Sequence, residues 1–312
     1  MNELTAKIEQ DLKLILNTSF SEDIDKDKKY KEIYEYALLP AGKLFRSQLL
    51  WCVFGDLTNN LIQKAQTLVS PNHQLLSAAI EIHHSYTLIH DDMPCMDNDD
   101  YRRGKLSTHK KYGEWKALLI GDGLLNMSYQ ILSQIQHPKI NELLKLFSQS
   151  CGHLGLVYGQ YLDLNVSSSP SSFKNIRKIH QLKTGKLFEC AIMGSYLLSD
   201  KDELETKQKL KIISSSIGEL FQFLDDLTEL SEIDLETHEV EVNPWLSFYD
   251  ETIKETLLLL KKTNSNLESF DQTRLTIKKY FEKIRLYLLS NKTQVLRFIK
   301  KEDLNPLILA LE

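Results

Sequence analysis

The sequence predicts an all-α protein, and three observations lead to this fold class. Apolar residues recur at spacings of three and four along almost the whole chain, as they do on one face of a helix. Only 12 of the 312 residues are glycine and 7 are proline, which suits long helices better than short strands and turns. No run alternates convincingly between apolar and polar residues, so no strand is predicted. Because no repeat or linker interrupts the pattern, we interpret residues 1–312 as a single domain of about ten or more helices.

The individual helices follow from the apolar spacing and from the residues that break it. Ile8, Leu12 and Ile15 define the first helix. The long helix over residues 72–92 stops before Pro94, since proline cannot continue a helix. The predicted helices cover residues around 8–15, 30–39, 49–53, 72–92, 113–135, 141–163, 172–198, 204–228, 244–262 and 267–299. Two polar stretches, 166–171 and 231–243, are predicted to be loops.

Bulk properties exclude several classes of function. The net charge of −5 argues against a nucleic-acid-binding surface. No apolar stretch approaches the roughly 20 residues that a membrane span needs. The first residues lack the pattern of a signal peptide, and the four cysteines have no metal-type spacing. We therefore expect a cytoplasmic protein with reduced thiols.

A first acidic cluster lies at the end of the long helix before Pro94. Asp91 and Asp92 end that helix, and Asp97 follows after a short turn. Three close carboxylates repel one another, and a hard divalent cation such as Mg²⁺ relieves the repulsion. The alternative is a solvated acidic turn. Arg102 and Arg103 favour a metal–phosphate site, because guanidinium groups bind phosphate with two donors; the alternative for these arginines is surface pairing with Asp99 and Asp100.

A second acidic cluster ends another helix more than 120 residues later. Asp225 and Glu229 are four residues apart and stack one turn above each other, with Asp226 beside them. Gln222 lies one turn earlier on the same face. Alone, this pattern is weak evidence for a metal site; the first cluster makes it far more specific.

Basic residues occur where an anion would need them. Lys43 and Arg46 are three residues apart at a predicted helix start, which itself favours anions. His84 lies two turns before Asp91 on the same face and is expected to point toward the carboxylates, although a buried histidine is often only part of the core. Lys183 precedes Thr184 and Gly185 within a helix, where glycine indicates close packing or a kink; the alternative for Lys183 is an ordinary exposed lysine.

Together these residues resemble the short-chain trans-prenyltransferases, or polyprenyl synthases, and are most similar to bacterial farnesyl diphosphate synthases. The resemblance runs in order over nearly the whole chain. It rests on Gly42-Lys43 with Arg46, Leu88-Ile89-His90-Asp91-Asp92, Arg102-Arg103-Gly104, Gly121-Asp122, Gly159-Gln160-Tyr161-Leu162-Asp163, Lys183-Thr184-Gly185, and Phe221-Gln222 with Asp225-Asp226.

The resemblance implies an isoprenoid synthase-type helical bundle around a central active-site cavity, usually as a homodimer. It implies three Mg²⁺ ions per active site, with Mn²⁺ as a possible substitute, bound by Asp91, Asp92, Asp97, Asp225, Asp226 and Glu229. The allylic diphosphate would be held by Arg102, Lys183, Thr184 and Gln222, of which the last three also line the reaction centre as catalytic residues. Isopentenyl diphosphate would be held by Lys43, Arg46, His84 and Arg103.

The reaction that the resemblance implies is condensation of isopentenyl diphosphate with dimethylallyl and geranyl diphosphate to give farnesyl diphosphate. Tyr86, five residues before Asp91, and Thr87 are the expected chain-length residues; simple core packing is the alternative for Tyr86. Two other functions stay open: a synthase of geranyl or geranylgeranyl diphosphate, and a weakly active or non-catalytic prenyl diphosphate-binding subunit. A cyclase would not need the isopentenyl-binding residues.

The chain departs from the family pattern at several positions. Leu44 and Ser47 stand where the family usually has arginine and proline, and Glu229 replaces an aspartate. The stretch 231–243 contains no lysine, and Glu241 lies near the position where the family has one. The segment 304–312 also lacks a basic tail. A missing charge-assisted contact would cost about 1.5–3 kcal/mol, which would slow the reaction without abolishing it.

Overall fold

The structure is a computed structural model that describes residues 3–21, 27–60, 70–165, 172–231, 243–301 and 303–312. Within these ranges the regular structure is helical except for one two-stranded hairpin, so the predicted all-α fold class is confirmed. The chain divides into two compact units, Met1–Leu144 with Leu197–Ser199 and Lys145–Tyr196 with Asp200–Glu312. The single domain over residues 1–312 stays a prediction.

The first unit holds the helices up to the seventh, in whose interior the division between the units falls. Its elements are α1 (Glu3–Thr18), α2 (Lys28–Leu38), α3 (Phe45–Thr58), α4 (Pro71–Asp91), β1 (Tyr101–Arg102), β2 (Lys105–Leu106), α5 (Thr108–Tyr112), α6 (Glu114–Leu132) and α7 (Ile140–Cys151).

Helix α4 is the centre of the first unit. It packs most extensively against α6 and also against α1 and α3, so it is apolar on more than one side; Leu76, Ala79 and Ile82 are fully buried. One buried carboxylate interrupts this core. Glu81 accepts hydrogen bonds from the Ser47 hydroxyl at 2.7 Å and from the Ser47 backbone N–H at 3.2 Å, which offset the cost of burying a polar group. These contacts hold α4 rigidly in the core and thereby fix the position of its end at Asp91.

The second unit is built around another long helix. Its elements are α8 (Leu156–Leu164), α9 (Phe173–Ile179), a π-helical segment (His180–Gly185), α10 (Lys186–Leu197), α11 (Leu204–Glu229), α12 (Pro244–Ser247), α13 (Tyr249–Asn266), α14 (Asp271–Ile299) and α15 (Asn305–Ala310). Helix α11 packs along α13 and the π segment, and α8 packs on the π segment from another side. Trp245 is fully buried and donates its indole N–H to the Phe223 carbonyl at 2.6 Å.

Several predicted boundaries are wrong, each for a local reason. The helix predicted over 141–163 is two helices, because the chain breaks at Gly155, where a Cβ atom would lie 1.9 Å from the Ser150 carbonyl oxygen. The helix over 113–135 begins where it was predicted, after Gly113, whose φ of +97° separates α5 from α6, but it ends at Leu132. The helix over 244–262 is divided at Phe248, and the last long helix starts at Asp271.

Two corrections concern the predicted site. Lys43 lies before α3 and not on its first turn, since Leu44 in the left-handed region precedes the helix start at Phe45. The strands β1 and β2 were not predicted, because two residues each are too short to show alternation. The predicted loop 166–171 and residues 232–242 of the other loop, with Glu241, lie outside the described residues.

None of the helices in the described ranges is long and apolar enough to cross a membrane. All four cysteines are free, and only Cys95 is exposed.

Candidate active site

In the first unit the acidic cluster forms as a tight turn at the end of α4. The helix ends at Asp91, and the backbone N–H of Asp97 donates to the Asp91 carbonyl at 2.9 Å. The N–H of Asn98 donates to the Met93 carbonyl at 3.1 Å. The turn that contains Pro94 therefore folds Asp97 back toward the helix end, as the sequence predicted.

Asp92 is the buried member of this cluster. It is 3% exposed and accepts hydrogen bonds from the Arg102 guanidinium, one of them from Nε at 2.8 Å. Burial raises the pKa of the Asp92 carboxyl to about 6 even though Arg102 acts in the opposite direction. Arg102 also donates to Asp99 at 2.6 Å, while Asp100 pairs with Lys110 at 2.7 Å. Thus the arginine that would bind phosphate also belongs to the carboxylate cluster.

The basic residues of the first unit form a set next to this pair. Arg46 Nη1 lies 3.2 Å from His84 Nε2. The pKa of His84 is lowered well below its usual value, first by burial and then by the charges of Arg46, Arg103 and Arg102. The imidazole is therefore neutral at neutral pH, and its partner is an arginine and not a carboxylate, which differs from the expectation.

Arg103 is presented by the turn of the β hairpin. Arg103 and Gly104 have φ values of +54° and +75°, as in the two-residue turns that suit a hairpin. The Arg103 guanidinium lies against Gly42, where a Cβ atom would be 3.0 Å from Arg103 Cζ. Lys43, the residue after Gly42, is exposed. The backbone at Gly42 and the hairpin turn therefore bring two predicted cationic residues into one region.

In the second unit the predicted residues form a connected chain of hydrogen bonds. The Thr184 hydroxyl donates to Gln222 Oε1 at 2.9 Å, and Gln222 Nε2 donates to Asp226 Oδ1 at 2.7 Å. The ammonium of Lys183 donates to Asp163 Oδ2 at 2.6 Å. Lys183 is thus a partly buried, paired side chain and not an ordinary exposed lysine.

Two close backbone approaches make this arrangement possible. A Cβ atom on Gly218 would lie 2.5 Å from Gly185 Cα, and a Cβ atom on Gly159 would lie 2.4 Å from the Lys183 backbone nitrogen. Only glycine fits at such distances. The π-helical segment carries Lys183 and Thr184 at this contact, and such segments are frequent at functional sites. The predicted close packing or kink at Gly185 is present as a π-helical segment that lies against Gly218, although the contact requires glycine at Gly218 and not at Gly185.

Asp226 is the carboxylate whose surroundings best suit a cation. Its carboxyl group is buried, and its pKa is raised well above the usual value, first by burial and then by the neighbouring Glu229. Its Oδ2 atom is buried and accepts no hydrogen bond from the described residues. His180 Nε2 lies 3.4 Å away, but burial lowers the pKa of His180 to about 3, so this imidazole is neutral and supplies no positive charge.

The residues present therefore fit a divalent oxygen-binding cation. Buried, mutually repelling carboxylates with an open oxygen are the donors that Mg²⁺ prefers, and Mg²⁺ usually takes one or two protein carboxylates together with phosphate oxygens and water. In the part of the chain that the structure describes, no three His, Cys, Asp or Glu side chains form a complete preformed centre. A site that is completed by a diphosphate agrees with both observations.

The two residues predicted to set product length lie on the buried side of α4. Tyr86 is 8% exposed, and its ring contacts the rings of His83 and His90 edge to face, with centroids 4.8 and 5.3 Å apart. Thr87 is also buried and donates to the His84 carbonyl at 2.8 Å. Both positions suit the wall of an apolar pocket as well as ordinary core packing.

Sequence reasoning missed three residues that hold the site. Asp163 ends the motif that begins at Gly159, and no role was predicted for it, although it is the ion-pair partner of Lys183. His180 stands beside Asp226, and Glu81 anchors the residue after Arg46 through Ser47. Their partners are 20, 46 and 34 residues away in the chain, as the residue numbers show, so local spacing could not reveal them.

A helical fold that carries two acidic clusters and a set of basic residues is typical of one class of protein, which comparison with known proteins identifies. The profile of the polyprenyl synthetase family matches residues 27–239. The chain belongs to the polyprenyl synthetase family, as the sequence resemblance predicted.

Several of the similar proteins are farnesyl diphosphate synthases, and others are a geranylgeranyl pyrophosphate synthase of Capsicum annuum and a dimethylallyltranstransferase of Fischerella ambigua. A farnesyl diphosphate synthase of Buchnera aphidicola subsp. Schizaphis graminum is 37% identical over 201 residues, which cover 63% of this chain and 65% of the relative. That of Buchnera aphidicola subsp. Acyrthosiphon pisum is 33% identical over 245 residues, covering 75% and 84%. The match thus spans slightly under two thirds of the first relative's length.

The fold is also found in solved structures. A geranyltransferase from Legionella pneumophila is 27% identical and superimposes with a TM-score of 0.73, covering 96% of both chains. The predicted isoprenoid synthase-type fold is thereby confirmed as a fold class.

Proposed function

We propose that the protein is a prenyl transferase that condenses isopentenyl diphosphate with dimethylallyl and then geranyl diphosphate to give farnesyl diphosphate. The observation that carries the proposal is the pair of cationic residues Arg46 and Arg103, with the neutral His84, beside the Asp92–Arg102 pair. A protein that only cyclises or binds an allylic diphosphate needs one anion site, whereas condensation needs two. The names of the relatives support the same activity.

The proposed roles follow from the resemblance to the family. By that resemblance, Asp91, Asp92, Asp97, Asp225, Asp226 and Glu229 would bind Mg²⁺, and Arg102, Lys183, Thr184 and Gln222 would hold the allylic diphosphate. Bound Mg²⁺ stabilises the negative charge that develops on the departing diphosphate. With a metal diphosphate bound, Asp92 would be among the residues that hold the metal, and Arg102 would supply donors to phosphate oxygens. Lys43, Arg46, His84 and Arg103 hold isopentenyl diphosphate.

The chemistry proposed for this site is ionisation, condensation and elimination. The allylic carbon–oxygen bond breaks, and its electron pair leaves with the diphosphate. The double bond of isopentenyl diphosphate attacks the resulting cation, and a proton is then lost to the released diphosphate. The Thr184 hydroxyl and the Gln222 amide are held as a hydrogen-bonded pair, so their dipoles are already oriented when the cation forms.

A condensation assay tests this proposal. Pure protein with Mg²⁺, isopentenyl diphosphate and dimethylallyl or geranyl diphosphate should yield farnesyl diphosphate and inorganic diphosphate, identified by mass. Arg103→Met should raise KM for isopentenyl diphosphate, while Lys110→Met, which removes only an exposed pair with Asp100, should not. Absence of condensation in any condition would contradict the proposal and favour the binding subunit; a C10 or C20 product would favour the alternative synthases.

Product length is proposed to depend on Tyr86. Tyr86 lies on α4, five residues before Asp91, and its ring is buried. Tyr86→Ala should therefore let the chain grow beyond fifteen carbons, and Tyr86→Phe, which keeps the ring, should not. Product chromatography that shows only farnesyl diphosphate from Tyr86→Ala would limit Tyr86 to core packing.

We further propose a cytoplasmic homodimer. Helix α6 presents three large apolar side chains to solvent, Trp115, Leu118 and Leu119, which are 66%, 47% and 53% exposed. Exposed apolar patches of this kind mark protein–protein contacts. Light scattering after gel filtration should give twice the chain mass of 36.1 kDa, and a Leu119→Lys variant should give the monomer mass; a monomeric wild type contradicts the dimer.

A further inference from the structure

The β hairpin that carries Arg102 and Arg103 is too small to hold itself in place. It contains two pairs of residues, Tyr101 with Leu106 and Arg102 with Lys105, and one further bond from the Ser107 N–H to the Asp100 carbonyl at 2.9 Å. An isolated hairpin of this size is not stable in water. Contacts from elsewhere must therefore fix the direction in which its two arginines point.

Those contacts come from the end of α2. The ammonium of Lys105 donates to the Leu39 carbonyl at 2.8 Å and also to the Tyr36 carbonyl. The last carbonyls of a helix have no partner within the helix and attract a cation. The same ammonium lies 4.0 Å from the centroid of the Tyr36 ring. In return, the Tyr36 hydroxyl donates to the Leu106 carbonyl at 2.6 Å.

Both sides of this contact are close in sequence to residues of the proposed isopentenyl diphosphate site. Arg103 is two residues before Lys105 in the hairpin, and Lys43 is four residues after Leu39 on the other side. Between them the Arg103 guanidinium lies against Gly42. The contacts of Lys105 and Tyr36 hold the hairpin against the end of α2. They therefore set the distance between Arg103 in the hairpin and Lys43 after α2.

We propose that Lys105 and Tyr36 are positioning residues that fix Arg103 relative to Lys43 and thereby set the affinity for the diphosphate of the second substrate. The inference rests on the proposed function. Lys105 keeps its charge at neutral pH, although its pKa is lowered to about 8 by burial and by the charges of Arg103 and Lys111. In this proposal both residues act through the hairpin and not by binding the substrate themselves.

The chain offers a matched control for this test. The ammonium of Lys111 lies 3.7 Å from the centroid of the same Tyr36 ring, but Lys111 is on α5 and not in the hairpin. Lys105→Met should raise KM for isopentenyl diphosphate about ten- to hundredfold, because small misplacements of binding groups have effects of that size. Its kcat should stay close to the wild-type value, and Lys111→Met should leave KM unchanged. Lys105→Arg should restore most of the affinity, since it keeps the charge and the donors.

Each outcome decides the inference. A wild-type KM in Lys105→Met, or an equal rise in Lys111→Met, overturns it. If Lys105→Met does not fold, Tyr36→Phe replaces it; this variant loses only the hydroxyl bond to Leu106 and should raise KM severalfold, and an unchanged KM overturns the inference. If wild-type protein does not condense the substrates, the proposed function fails, and titration calorimetry with inorganic diphosphate decides between Lys105→Met and Lys111→Met in the same way.

Discussion

The contact between Gly218 and Gly185 gives the sharpest prediction, because the two glycines of one contact should respond oppositely to the same substitution. A Cβ atom on Gly218 would lie 2.5 Å from Gly185 Cα, whereas a Cβ atom on Gly185 would meet only the His180 carbonyl oxygen at 3.6 Å. Carbon atoms normally pack no closer than about 3.5 Å. Gly218→Ala therefore forces α11 and the π segment about 1 Å apart, and Gly185→Ala does not.

The free energies decide the sign for each variant. Alanine in place of glycine favours a helix by about 1 kcal/mol, and overpacking a close contact costs about 1–3 kcal/mol. The neighbour of Gly218 is backbone that no rotamer change can move, so the cost lies at the upper end. Gly218→Ala should lose about 2 kcal/mol of unfolding free energy and melt several degrees lower. Gly185→Ala should melt at the wild-type temperature or slightly above.

The same displacement should reach the chemistry. The Thr184 hydroxyl lies 2.9 Å from Gln222 Oε1, and a further 1 Å takes the pair beyond hydrogen-bonding distance. In Gly218→Ala, kcat for condensation should fall about ten- to hundredfold. Calorimetry and single-turnover rates measure both effects. Wild-type stability in Gly218→Ala, or equal loss in both variants, refutes the reasoning.

Two further predictions concern groups that the fold buries. Asp163→Asn removes the charge that holds the ammonium of Lys183 at 2.6 Å, so kcat/KM for the allylic substrate should fall about tenfold. The control Glu189→Gln breaks only an i,i+3 pair on α10 and should leave kcat/KM unchanged. Equal values in both variants contradict the role of Asp163. Burial lowers the pKa of His83 to about 4. Between pH 6.5 and 4 the unfolded chain therefore binds a proton that the folded chain does not. The free energy of unfolding is highest above pH 6.5 and should decline by up to about 3 kcal/mol as the pH falls through this range. Urea unfolding across this pH range measures the decline, which should be shallower in His83→Gln; an identical slope in both proteins shows that His83 does not cause it.

The helix pattern could be predicted because helices bury one face at a fixed period. The end of α4 also follows from the sequence, because proline cannot continue a helix, and the apolar period of α11 runs out at the second acidic cluster. The break at Gly155 could not be predicted, since a glycine in a helical pattern indicates a break only when the neighbouring backbone is known.

Sequence alone determined the chemical inventory of this protein: two carboxylate clusters, a set of cations, and the family to which they belong. Residue types and short spacings are enough for that, because the ligands of a metal diphosphate are defined by their chemistry. The tertiary structure decided which partner each group has. It pairs Asp92 with Arg102, joins Thr184 to Asp226 through Gln222, and connects Lys105 to the end of α2. Those partners are distant in the chain and meet only by packing, so burial and the pKa shifts that it causes appear only in the folded chain.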